Sequence, residues 1–190
     1  MDYFTFLNQV SPITQDEYDL MASHFIKKEY AKGAIILQEG AIQKDILLVI
    51  EGIQMSYYYH NERQYIMAFS YPPSPSGVPE SFQEQLPSGF CLQAMSDSRF
   101  YSLDFNIVQS LFDQSQALER LFRRMTEIIF RGTIQRVVEL QSYSMEERFR
   151  VFAKRSPHLF QLIPHKYLAS YMNISVTNFS KLYNTIKIGG

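Results

Sequence analysis

Cysteine is nearly absent: Cys91 is the single one in 190 residues. A lone thiol closes no intrachain disulfide and holds no iron–sulfur cluster. The four histidines, His24, His60, His158 and His165, are scattered along the chain, so neither a haem site nor a metal site is expected, and no cofactor is assigned. Long apolar runs are missing as well, because Glu51, Arg63, Arg123 and Arg131 interrupt the candidates; a bilayer-spanning segment is excluded. The opening Met1-Asp2-Tyr3-Phe4 lacks the basic stretch and apolar run of a secretory signal, which makes the cytoplasm the expected compartment. No Asp/His/Ser or paired-carboxylate set recurs within a motif that would position it, so an enzyme is not expected. Excess charge is the last absence, with 18 basic against 19 acidic residues and a formal net of -1.

What is present is a globular composition. Apolar residues make up 46% and charged residues 19%, with 13 Tyr and 15 Phe, which excludes a disordered chain. The length suits one large domain or two small ones. The near-zero charge is a cancellation: residues 1–109 carry 6 Lys/Arg against 13 Asp/Glu, and residues 142–190 carry 7 against 2. An acidic front and a basic tail permit a DNA-facing C-terminal module.

Along the chain, Thr14 with Glu17 three positions later predicts a capped helix over 14–25. Short strand-like pieces follow at 34–37, 46–50, 53–59 and 65–69, punctuated by Gly33, Gly40 and Gly52, with Asn61-Glu62 as a hairpin turn. The proline-rich stretch 71–79 cannot supply continuous ladder donors and reads as a loop, with a helical turn over 80–86. Strands return at 89–94 and 99–103. Together these predict a small antiparallel barrel or sandwich. Residues 111–140 hold no proline and one glycine, and Leu118, Leu121, Phe122, Met125, Ile128 and Ile129 recur at three and four, which predicts one long amphipathic helix. Leu118, Met125 and Gly132 stand seven apart, as do Leu121 and Ile128, and these five are the expected seam of a homodimer, with packing on the chain's own barrel as the alternative.

A helix over 145–154 with Phe149, Val151 and Phe152 as anchors ends at Ser156-Pro157. Beyond it, His165 to Met172, Asn173-Ile174 and Ser175 to Ile186 have the spacing of a helix-turn-helix. Ala169 sits where crossing helices leave room for a methyl, Asn173 tolerates a left-handed corner, and Ser175 caps the second helix. Such a second helix enters the major groove. The expected DNA-binding residues are Ser175 for phosphate, Val176 for a thymine methyl, Thr177 and Asn178 for base edges, Lys181 for phosphate or guanine, and Lys166.

The order of parts resembles the Crp/Fnr family of bacterial transcription regulators, especially the short versions common in Bacteroidetes. Lys32-Gly33, Ile35-Ile36, Glu39-Gly40, Leu47 to Val49 and Glu51-Gly52 resemble the strands of a cyclic-nucleotide-binding domain. Residues 168–175 and then Phe179-Ser180-Lys181-Leu182 resemble the family's DNA-binding signature. The resemblance implies a mixed α+β fold: a double-stranded β-helix or β-roll over 1–109, a long dimerisation helix over 110–141, and an all-α helix-turn-helix over 142–190. It also implies a homodimer on a two-fold symmetric duplex site that contacts RNA polymerase. The corresponding effector pocket falls on Gly77, Glu80, Ser81, Ser88 and Gly89. The family's phosphate-binding arginine has no counterpart, since no arginine lies between Arg63 and Arg99; cyclic AMP is not expected, and the effector is an unidentified small molecule if there is one. Most or all of the β-hairpin wing of longer relatives is expected to be missing, because the chain stops at Gly190. The competing reading is a small-molecule or protein-interaction module that keeps the fold without binding DNA.

Overall fold

Among the described residues the chain forms eight strands: β1 Ile26–Tyr30, β2 Ile35–Leu37, β3 Asp45–Glu51, β4 Gln54–His60, β5 Arg63–Ser70, β6 Pro75–Ser76, β7 Cys91–Ala94 and β8 Ser98–Asp104. The structure, a computed structural model, describes residues 2–186. The strands form two four-stranded sheets, in the orders β1-β8-β3-β6 and β2-β7-β4-β5. Ile26 pairs with Ser102 and Leu47 with Ser102 from the other side, so β8 is central in the first sheet, and both pairings are antiparallel. This is the β-roll of a mixed α+β fold. Asn61 and Glu62 join β4 to β5 with φ of 48° and 60°, the doubly left-handed turn that suits the right-handed twist of a two-residue hairpin. The proline-rich loop contributes only the two-residue β6, and the expected helical turn is α3, Pro79–Glu84.

The chain divides into two compact units, Met1–Tyr57 with Phe69–Ile129, and Tyr58–Ala68 with Phe130–Gly190. The boundaries expected at 109 and 141 follow the chain continuously. The second unit instead includes the end of the β4–β5 hairpin, whose Ile66 N–H donates to Ser170 Oγ at 3.3 Å and whose Ile66 carbonyl accepts from Arg136 Nη2 at 3.3 Å. No helix among the described residues is long and apolar enough to cross a membrane.

In the first unit the roll is filled by Leu37, Leu47, Val49, Leu92 and Phe100 from the strands and by Val78 at the start of α3, all buried. Four helices supply a second core: α1 Tyr3–Val10, α2 Gln15–Ala22, α4 Phe105–Gln114 and the first half of α5 Gln116–Ser142. Leu7, Met21, Leu111, Leu118, Leu121 and Met125 from these helices lie in it, joined by Leu103 of β8 and Phe82 of α3. Helix α2 carries the expected capping box between Thr14 and Glu17. Helix α1, capped by Asp2, and strand β1 were not foreseen.

The single helix expected over 111–140 is two helices. Ser115 lies between them in an extended conformation (φ −144°, ψ 112°), closing α4 through its N–H to the Leu111 carbonyl. Its hydroxyl receives the Leu118 N–H at 3.3 Å and donates to Glu17 at 2.9 Å. Two local bonds and one to a distant helix thus replace helix continuity without any proline or glycine. The dimer seam also needs correction. Leu118, Leu121 and Met125 are buried in the first unit's own core, so they are unavailable to a second chain; Ile128 and Gly132 stay exposed. The uncovered apolar residues of α5 include Phe130, Ile134, Val137 and Val138, which are 65%, 49%, 43% and 44% exposed.

In the second unit the end of α5 is followed by α6 Met145–Arg155, α7 Leu159–Leu162, α8 His165–Tyr171 and α9 Val176–Thr185. Phe149, Phe160 and Phe179 interlock at the centre, with ring centroids 5.2 to 6.0 Å apart, in the edge-on and offset geometries that aromatic quadrupoles favour. The expected anchors Phe149 and Phe152 are buried, and Val151 is half-buried. The expectation about the wing concerns the end of the chain, where residues 187–190 lie outside the described residues.

Candidate nucleic-acid interface

The corner between α8 and α9 is built by local chemistry. Leu168 and Ala169 are fully buried, and α8 ends with three backbone bonds: Met172 N–H to Leu168 O, Asn173 N–H to Ser170 O, and Ile174 N–H to Ala169 O. These satisfy carbonyls that the helix end would leave bare. Asn173 holds φ at 51°, a left-handed conformation that asparagine adopts more readily than most residues. Ser175 then caps α9, its hydroxyl accepting from the Asn178 N–H at 3.2 Å. Arg148 of α6 secures the turn from below, donating to the Asn173 carbonyl at 3.2 Å and to the Tyr143 carbonyl at 2.7 Å. Glu147, held by the Ser144 hydroxyl and backbone N–H, is kept below the usual carboxylate range and so stays charged at the start of α6.

Beneath α9, Phe179 is fully buried against Phe149, Phe160 and the His165 ring, with the His165–Tyr183 centroids 4.4 Å apart. Rings on one side fix the rotation of the helix, and the opposite side is left to solvent. Ser175, Val176, Thr177 and Lys181 are exposed there, and Lys166 is exposed on α8. The Lys166 ammonium lies 4.7 Å from the centre of the Tyr167 ring, which limits where its charge rests. Asn178 differs from the other candidates. It is half-buried, and its amide nitrogen is 3.5 Å from the Met145 sulfur on α6. Sequence reasoning missed Met145 and Arg148, because both act on α9 or its corner from 25 or more residues away.

The residues expected around an effector are placed differently. Gly77 has φ +147°, and a Cβ there would come within 2.6 Å of Gln43 Nε2. The buried Gln43 side chain donates to the Asp45 carbonyl and accepts from the Val78 N–H, both at 2.8 Å, while its own N–H donates to Ser81 Oγ. Ser81 donates in turn to the Leu86 carbonyl at 2.6 Å. Ser88 closes its own turn on the Phe90 N–H and carbonyl. Gly77 and Ser81 therefore meet around Gln43, whereas Glu80 and Gly89 lie exposed. Deeper in the roll, buried Gln54 pairs with Ser98 and Ser70, and Ser70 with Ser76. Such pairing meets the cost of burying these polar groups without a guest.

The sequence matches no protein-family model and no curated protein. Solved structures do resemble it. FixK2 from Bradyrhizobium japonicum is 15% identical with a TM-score of 0.73, over 84% of this chain and 83% of that one. A putative transcriptional regulator of the crp/fnr family from Eubacterium rectale is 13% identical with a TM-score of 0.71, over 90% and 82%. The catabolite activator protein of Thermus thermophilus is 20% identical with a TM-score of 0.60, over 94% and 84%. A β-roll followed by a long helix and a helix-turn-helix, superposable on these proteins over most of its length, gives this chain the fold of the crp/fnr regulators.

Proposed function

We propose that the protein is a homodimeric, DNA-binding transcription regulator that works in the cytoplasm and places α9 in the major groove. The observation that carries this reading is the α8–Asn173–α9 corner, braced by Arg148 and presenting exposed Ser175, Val176, Thr177 and Lys181. A purely structural hairpin has no need of an exposed valine at the start of its second helix. The basic balance of residues 142–190 supports it, since seven Lys/Arg against two Asp/Glu suit a polyanion. Ser175, at the helix start, and Lys166 serve phosphate; Lys181 serves phosphate or a guanine edge. Two chains joined along Phe130, Ile134, Val137 and Val138 would set their α9 helices for sites about one duplex turn apart, roughly 34 Å. The self-paired hydroxyls of Ser81 and Ser88, together with the lack of an arginine between Arg63 and Arg99, favour a roll that takes no cyclic nucleotide. Contact with RNA polymerase belongs to the same reading.

A salt titration on random duplex tests it. About four phosphate contacts per dimer predict that log affinity falls with log salt at a slope of roughly −4, and Lys181→Ala lowers that slope by one to two. Binding that is undetectable at low salt, or insensitive to salt, would favour the interaction-module reading instead.

A further inference from the structure

Resting on the DNA reading above, we infer that α9 selects its sites by the C5-methyl groups of thymine, with Val176 and Thr177 as the reading residues. Of the groups displayed in the major groove, only thymine offers a methyl, and a hydrocarbon side chain discriminates by covering it. Val176 is the first residue of α9, is 52% exposed, and has no polar side-chain atom. Thr177 follows it, also exposed, with a methyl beside its hydroxyl. The residue type best suited to a paired hydrogen bond with adenine, Asn178, has its amide nitrogen on the Met145 sulfur of α6 at 3.5 Å and its backbone N–H on Ser175. Helix α9, with the sequence VTNFSKLYNT, contains no Arg, Gln, Glu or Asp, so the forked guanine contact of arginine and the cytosine contact of a carboxylate are both absent from it. In the first turn that leaves the Val176 side chain and the Thr177 methyl, with Lys181 one turn later; the exposed Asn184 lies at the far end of the helix, away from the N-terminal residues that meet base edges. The partner is therefore a duplex whose half-sites place thymines opposite the first turn of α9.

The experiment selects sites for the full chain from a random duplex library, then resynthesises the enriched duplex with deoxyuridine for each thymidine in turn, removing one methyl at a time. The expected result is a loss of about fourfold for each methyl covered, or roughly fifteenfold when both half-sites are changed. Val176→Ala, at an exposed position, is expected to erase most of the thymidine-to-deoxyuridine difference while random duplex is still bound at low salt. Enrichment of G·C pairs with no effect of deoxyuridine, binding with no enriched sequence, or a changed preferred sequence in Asn178→Ala would each overturn the inference and leave the DNA reading standing. Failure to bind any duplex at low salt would overturn both.

Discussion

Glu17 joins the cap of its own helix to the Ser115 link between α4 and α5 through one carboxylate. It accepts from the Thr14 N–H at 2.7 Å, from the Thr14 hydroxyl at 2.9 Å and from the Ser115 hydroxyl at 2.9 Å. The Thr14 backbone bond foremost, then Ser115 and the Thr14 side chain, hold its carboxyl below the ordinary value of 4.5. A depressed carboxylate contributes stability that is present above its unfolded pKa and is lost as pH falls through the lower folded value. Denaturant melts at neutral pH and at about pH 3 should therefore show the wild type losing more of its stability on acidification than Glu17→Gln does. Equal losses would mean that the charge is immaterial. Half of this arrangement is legible in sequence, because Thr14 and Glu17 are three apart and a capping box has that spacing. The other half is not, because Ser115 is 98 residues away.

Among the elements, the α8–α9 corner depends on a single backbone conformation. At φ 51° Asn173 sits where a β-branched side chain clashes with its own backbone. Asn173→Val is expected to destabilise the fold by about 1–3 kcal/mol, and Asn173→Gly, which keeps the carbonyl that Arg148 binds, to melt close to wild type. A thermal melt of the two variants checks this, and equal midpoints would argue against a strained corner. This element was readable in advance because its requirements are local: a small residue at 169, a left-handed residue at 173 and a cap at 175. The Asn61-Glu62 hairpin was readable for the same reason. The break at Ser115 was hidden, since serine is an ordinary helix residue and what ends α4 is a set of bonds that involves Glu17 of another helix.

At the scale of the whole molecule, α5 exposes Phe130, Ile134, Val137 and Val138, spaced four, three and one apart. A soluble monomer has little reason to leave four large apolar side chains on one helix uncovered. If they form the proposed dimer contact, Ile134→Asp should shift the species seen by sedimentation from two chains to one with little change in monomer stability, because Ile134 is half exposed already. Leu118→Ala should instead destabilise the first unit by about 2–5 kcal/mol, as expected for a fully buried leucine. A dimer lost with Leu118→Ala but kept with Ile134→Asp would reverse the two assignments. The sequence by itself determined the succession of a strand-rich front, a long helix and a helix-turn-helix, the capped turns and the charge asymmetry, because periodicity, capping and charge are properties of neighbouring residues. Only the tertiary structure decided that one face of α5 belongs to the first unit's core, that Asn178 turns to Met145, and that Gln43 lies against Gly77, because each depends on residues brought together from distant parts of the chain.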